Sequence, residues 1–486
     1  MEPSASLPAS PIRIGATPRR DLIETILLVG VLLAGGASWL IYVFGDSQTA
    51  YLGAVVASVV LAIRLAAARR QTLLLLLVSE VALLGTEANG SLAAGHSPLG
   101  TFRLIDLTVA AALVGLAISS LWMRDRFPSP VWPRTRELLA PGAILAIAAI
   151  SYVVALGVLH GRRADEITKT DLRVLGLAIG MWLIARACTF GVLRDLPSAF
   201  VGLGPFLSAK ALAIAVSGIW VVGTYDRLQA STSSVTGQTR VILIGGDTVL
   251  ILIPPVTAFA LSYVKTRARR LALWFCGLAS LVGLVISGTR TGLVVAGIMV
   301  LGVVLVRFSA SGSFKRFSPA VASVVAIAVL LVGIGLVATG TASRFVTPDR
   351  PHVGLNFRVD EIHSFLRLPK RDILVGQGIG GRFLSKDTNG HPAVSGWAHV
   401  FPIWAMLKAG VAGLVIVAVA AALILRSGLR GLRRPYPARG EAAFSLIIIC
   451  GLLLMSLTID RIAIPEGAVL FGLAVGLLDR NREASS

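Results

Sequence analysis

The sequence predicts an all-α polytopic membrane protein, with about 12–14 membrane-crossing helices and one large polar loop on the outer face. Three observations predict it. The chain of 486 residues is 55% hydrophobic and only 14% charged, where a soluble domain carries about 25% charged residues. Mean hydropathy is +0.81. Apolar runs of about 20 residues recur along the whole length, which is the signal of transmembrane helices. Residues 340–398 form one long polar interruption between two such runs.

Taken in order, residues 1–20 are rich in Pro and Ser and close on Arg19-Arg20. They read as a disordered cytoplasmic tail. A transmembrane region, 21–339, follows, with runs at about 23–43, 50–67, 71–86, 104–123, 140–160, 173–189, 204–224, 241–263, 271–288, 291–307 and 319–339. The polar stretch 340–398 is the extracytoplasmic loop. Residues 399–480 hold the C-terminal helices, at about 399–425, 443–459 and 464–479. Residues 481–486 form a second cytoplasmic tail. The third run is short, and only "DRIAIP" separates the last two. Some runs are then candidates for re-entry, which sets the lower count.

Orientation follows from the basic connections. "AARRQ" at 67–71, "MRDRFPSPVWPRTRE" at 123–137, "KTRARR" at 265–270, "RFSASGSFKRF" at 307–317 and "RSGLRGLRRPYPARG" at 426–440 fall on alternate connections. The positive-inside rule makes that side, and both termini, cytoplasmic. The outer connections are then 161–172, 225–240, the turn at 289–291 and the island 340–398. "GRRADEITKTDLR" opposes the rule, which singles out Arg162 and Arg163 as candidate substrate-binding residues on the outer face.

The formal charge is +20, from 45 Lys+Arg against 25 Asp+Glu. A nucleic-acid partner would require that charge on a soluble face with a matching motif. Here it lies in short loops, so membrane lipids or a lipid-linked phosphate are the expected partners. The three cysteines, Cys188, Cys276 and Cys450, fall in apolar segments and offer neither a disulfide framework nor a metal spacing. No metal and no cofactor are expected.

Four residues far apart in sequence are placed on one face by the alternation of spans. Arg240 opens "TRVILIGGDTVLILIPP". Arg290 lies in the tight turn "SGTRTG". Arg358 lies in the island, and His399 stands where the island meets the next span. Arginine stays charged and presents a planar donor fork that matches phosphate oxygens. Several at a membrane surface make a site for a lipid diphosphate, and would stabilise charge developing on it as it leaves. Histidine titrates near neutrality and can take a proton from an attacking hydroxyl. Asp247 lies about seven residues inside its predicted span, roughly 10 Å deep. An acid there is costly unless paired or wetted, so it is a candidate substrate-cavity residue. Gly245-Gly246 and Pro254-Pro255 around it suggest a bent or broken helix. Lys408 is a second charge within a span. "GQGIGG" at 376–381 looks like a phosphate loop on paper, but lacks the Lys-Ser/Thr ending and the preceding strand. Its glycines read as an irregular loop close to the membrane.

At these residues the chain resembles the O-antigen ligase and polymerase superfamily of bacterial membrane proteins. The ligase-type pattern is His, then Asn/Ser/Gln, nine residues, Gly, two residues, Gly. Here it reads His399, Val400, nine residues, Gly410, two residues, Gly413, with Val400 departing from the polar second position. "SGTRTG" resembles the family's "SxSRxG" turn. "FRVDEIHSFLRLPKRDILVGQGIG" resembles its island segment, and "TFRLIDLTVAAALV" its early "R..D" span start. The resemblance runs loosely over 100–425. It implies a helical lipid-sugar glycosyltransferase fold and a metal-independent, inverting enzyme of the bacterial cytoplasmic membrane. Its donor would be an undecaprenyl-diphosphate-linked glycan and its acceptor a lipid or glycan hydroxyl. Arg240 and Arg290 match positions that hold the donor diphosphate, and His399 matches the base or substrate-positioning residue. A polymerase of the same superfamily stays open. So do a flippase for lipid-linked sugars, which needs the basic groove but no base, and a non-catalytic scaffold of envelope assembly. No clear internal repeat is visible, which disfavours a transporter built from two related halves.

Overall fold

Segments such as "LIDLTVAAALVGLAISSLW" pair strong helix formers with apolar side chains on every face. A helix apolar all round must lie in a core or in a bilayer. The computed structural model describes residues 48–68, 70–83, 104–122, 141–161, 172–188, 196–217, 227–230, 239–243, 246–287, 289–311, 355–386, 392–395, 398, 400–434, 438–457, 462 and 464–483. They are mostly helical. Two compact units divide at Leu61. The first, residues 1–61, is described only over the first part of α1 (Gln48–Ala68). The second, residues 62–486, holds everything else.

That second unit contains α2 (Arg70–Leu83), α3 (Leu104–Trp122), α4 (Pro141–Leu159), α5 (Arg173–Arg186), α6 (Leu196–Val201) and α7 (Gly204–Ser217). After a hairpin of β1 (Arg227–Ala230) and β2 (Thr239–Ile242) come α8 (Gly246–Ala260), α9 (Arg267–Ser287) and α10 (Arg290–Ser311). The island supplies α11 (Leu355–Leu366), α12 (Lys370–Val375) and the hairpin β3 (Phe383–Lys386)–β4 (Pro392–Ser395). The chain closes with α13 (Phe401–Gly431), α14 (Ala438–Ser456) and α15 (Pro465–Glu483).

At the centre of this unit is α8, which packs against α2, α6, α7, α9, α10 and α14. All its residues but Ala258 and Phe259 are buried. Small residues mediate many crossings. Gly277 of α9 meets Thr257, Gly283 meets Ser208, and Gly451 of α14 meets Leu252. Gly472 and Gly476, four apart on α15, meet the backbone of Ala178 and Trp182 on α5. Close backbone approach through small residues is how helices associate where lipid removes the hydrophobic drive. The two faces of α9 agree. Leu271, Phe275, Leu278, Val282 and Val285 are exposed on one side, while Gly277, Ser280, Gly283 and Ser287 are buried on the other. Large apolar residues outward and small ones inward is the arrangement a bilayer calls for.

Among the described residues four helical stretches are long and apolar enough to cross a membrane: Leu196–Val216, Arg267–Ser287, Phe401–Gly431 and Ala438–Ser456. Shorter apolar helices accompany them, among them Thr72–Ala82, Leu104–Ser120 and Gly246–Ala260. The all-α expectation gains a qualification in the two short antiparallel hairpins. Both lie between apolar runs, where a polar connection satisfies its backbone by pairing with itself. Residues 355–386 of the polar island hold α11, α12 and β3.

Polar side chains tie helix ends together. Arg173 Nε donates to both carboxylate oxygens of Asp106 at 2.8 Å, joining the starts of α3 and α5. At the other end Arg186 donates to Asp479 at 2.8 Å. There Arg70 donates to the carbonyl of Ala187 at 2.7 Å, satisfying a carbonyl just past the last turn of α5.

Candidate functional site

The site grows from the entry to α13. Val400 precedes this helix in extended conformation, and its carbonyl accepts from the amides of Ile403 and Trp404. Its side chain packs on a small core of Phe365, Phe383, Ala398, Ile403 and Leu407. Phe365 and Phe383 meet edge to face at 6.4 Å. A polar side chain at 400 would enter this apolar cluster. The core fixes α11 and β3 of the island to the first turns of α13.

Two turns further in, α13 breaks. Ala409 (φ −129°, ψ 15°) and Gly410 (φ 62°, ψ −157°) leave the helical region. The glycine loop of the island fills the break. The amide of Gln377 donates to the carbonyl of Leu407 at 2.8 Å, and that of Gly378 to Lys408 at 2.9 Å. A kink orphans carbonyls of just this kind, and the loop satisfies them. Gly410 has two reasons to lack a side chain: its positive φ, and the carbonyl of Leu374, which a Cβ would strike. Gly378 is equally constrained, at φ 78° against the backbone of Gly157. On its other side the loop is held by α4. The Ile379 amide donates to Val153 at 3.0 Å, and the Tyr152 hydroxyl to the carbonyl of Val375 at 2.8 Å.

Lys408, buried at the break, donates through Nζ to the carbonyl of Gly381 at 3.3 Å and sits 5.9 Å from the Trp404 ring centroid. Gln377 links the loop to α12: its Nε2 donates to Asp372 at 3.1 Å, and its Oε1 accepts from the Arg382 amide at 2.8 Å.

A second cluster surrounds the start of α8. Asp247 is buried in the first turn of this helix. The expectation placed it some seven residues inside a helix. The structure instead runs the chain through β2 before the helix begins, so the carboxylate lies at a positive helix end, where an acid is favoured. Where a bent or broken helix was expected, one helix runs through both Pro254 and Pro255. One turn beyond Asp247, on the same face, Ile251 meets Gly292 in the first turn of α10. Thr289 is buried beside this contact, and its hydroxyl lies 2.8 Å from that of Ser287. Asp247 and the "SGTRTG" turn are thus neighbours.

The predicted site residues take these positions. Arg290 is the first residue of α10. Arg240 lies in β2, paired with Gln229. Arg358 lies in the first half of α11. His399 falls outside the described residues, between Ala398 in the island core and Val400 at the helix start. Arg162 and Arg163 also fall outside them, just past the end of α4 that grips the glycine loop.

Packing relates the helices that carry some of these residues. Gly428 and Gly431 of α13 meet Leu446 and Ala442 of α14, so these helices run antiparallel, and the start of α13 shares an end with Ser456. Near that end Gly451 meets Leu252 in the first half of α8, and Ile251 meets the start of α10. The starts of α8 and α10 therefore adjoin, and α8 lies against the second half of α14.

Sequence reasoning singled out the glycine loop and Lys408 but not their union. Alternate glycines at 376, 378 and 380, together with a glycine inside a span, were the available signal. Among the described residues no group of three His, Cys, Asp or Glu could hold a metal ion. No protein-family model matches the chain, and no curated protein matches it.

Proposed function

We propose that the protein is a membrane glycosyltransferase of the O-antigen ligase type. It would lie in a bacterial cytoplasmic membrane with about 12–14 spans and both termini cytoplasmic. The observation that carries this reading is the break at Gly410. The His399–Gly410–Gly413 spacing is the most specific point of resemblance. The break gives its first glycine a physical task, docking the island onto the helix that His399 opens. The contact between the starts of α8 and α10, beside the "SGTRTG" turn, adds support.

In this reading the diphosphate of an undecaprenyl-diphosphate-linked glycan meets Arg240 and Arg290, with Arg358 in the island and Arg162 and Arg163 nearby. The acceptor hydroxyl gives its proton to the His399 imidazole as its oxygen attacks the anomeric carbon. The bond from that carbon to the diphosphate oxygen breaks, and undecaprenyl diphosphate leaves with the electron pair. Attack opposite the leaving group inverts the anomeric centre. Arginine charge stabilises the departing diphosphate. Asp247 orients the cavity beside the "SGTRTG" turn. A polymerase would differ only in its acceptor.

The test is incubation of the purified protein with lipid-linked glycan and candidate acceptors, scoring released undecaprenyl diphosphate. Release that depends on acceptor supports the reading. Movement of the intact glycolipid across vesicles without release would overturn it in favour of a flippase.

A further inference from the structure

We infer that α12 and the residue run leading into it form an interfacial anchor, which seats the island on the anionic lipid headgroups of the adjoining leaflet. The segment is amphipathic along its length rather than around it. Arg367, Lys370 and Arg371 are exposed at its outer end. Leu374 (61% exposed) and Val375 (37%) are exposed at its inner end. Asp372, the acid among them, accepts from Gln377 and so is engaged toward the protein.

Depth gives this order its meaning. The residues just after Val375 bond to Leu407 and Lys408, roughly 10 Å along α13 from Phe401 at 1.5 Å per residue. On the other side they meet Val153 and Gly157 of α4. The chain therefore dips between two apolar helices. The loop 376–381 is buried, and its amides at Gly376, Gln377, Gly378, Ile379 and Gly381 all donate to carbonyls. Irregular backbone survives at membrane depth only when it is paired within the protein in this way. Leu374, whose carbonyl abuts Gly410, is exposed, as is Val411, the residue after Gly410.

Exposed aliphatic side chains at the foot of a short element, with three cations above them, match an acyl region topped by anionic phosphates. A loop surrounded by water would gain nothing from Leu374 and Val375. The lysine and arginine stems reach from this level to the headgroups.

Photo-crosslinking of the full-length protein tests the inference. Benzoylphenylalanine is placed at Leu374, and at lipid-facing Val415 as a control. The protein is reconstituted in vesicles of phosphatidylcholine alone or with phosphatidylglycerol. Lipid adducts at 374 are expected, with a yield about twofold or more higher in the anionic vesicles. That difference should vanish in R367Q/K370Q/R371Q while the adducts at 415 persist. Adducts to protein in place of lipid, equal yields in both vesicles, or a difference that survives the triple substitution would each overturn it. The readout needs no sugar transfer, so its outcome is separate from that of the proposed enzymology.

Discussion

Gly410 is, with Gly378, among the most constrained residues of the candidate site. It needs a left-handed backbone, and it must leave room for the Leu374 carbonyl. Gly410→Ala is therefore expected to cost about 2 kcal/mol or more. It should lower the thermal midpoint of the detergent-solubilised protein, where Gly302→Ala, with open space around it, should not. Chemistry has its own residue-scale expectations. His399→Ala should abolish transfer while donor binding stays, since only the proton acceptor is lost. Arg290→Ala should weaken donor binding by about tenfold or more, as expected for a lost charge-assisted contact; unchanged affinity in a lipid-diphosphate titration would remove Arg290 from the diphosphate site. Gly410 was legible as a motif position, because its spacing from His399 is written in the sequence. Its partner Leu374 was not. Nothing local to 374 tells that its carbonyl will meet a helix break 36 positions later.

Among elements, the island and the start of α13 share a small core of their own. Phe365 is its most buried aromatic after folding against Phe383. Phe365→Ala should cost about 3–5 kcal/mol locally. The expected sign is protease cleavage within 355–395 while the helical fragments stay intact. The α3–α5 tie behaves differently. Asp106→Ala removes the carboxylate that accepts from Arg173, and should destabilise by about 1–3 kcal/mol. Replacing both residues with leucine should cost far less, which a double-mutant comparison of thermal midpoints would read. Helix positions were largely legible, because runs of apolar residues declare themselves. Boundaries were less so. The run expected at 241–263 becomes a strand and then a 15-residue helix. The hairpin pairing of Arg240 with Gln229 is set by a partner outside the run, which periodicity within it cannot report.

At the scale of the whole molecule, the alternation of basic connections gives an expected sidedness, and ion pairs mark the ends of the helices it concerns. Arg173 with Asp106 marks one end, and Arg186 with Asp479 the other. Reporter fusions check which end is outside. Alkaline phosphatase inserted in the island near 390 should be active, and a fluorescent protein fused after residue 486 should fluoresce; the reverse pattern would invert the topology and with it the proposed outer-face site. Global packing was legible only in outline. The sequence announces that helices cross a bilayer, whereas the pairing of α5 with α15 depends on Gly472 and Gly476 meeting a backbone almost 300 residues away.

The break in α13 also bears on how such a protein can be re-engineered. As one continuous rod its 31 residues would span about 46 Å, well beyond a bilayer's apolar thickness. The break divides that rod into two pieces with different allegiances. Residues 401–409 belong to the island, through its core and through the bonds of Gln377 and Gly378. Residues from 411 onward carry the span on without the island, packing on α14 through Gly428 and Gly431. A chimera that swaps acceptor specificity by exchanging the island should therefore be cut inside the helix at Gly410. A cut at the loop's visible edge would graft a new island onto a foreign socket.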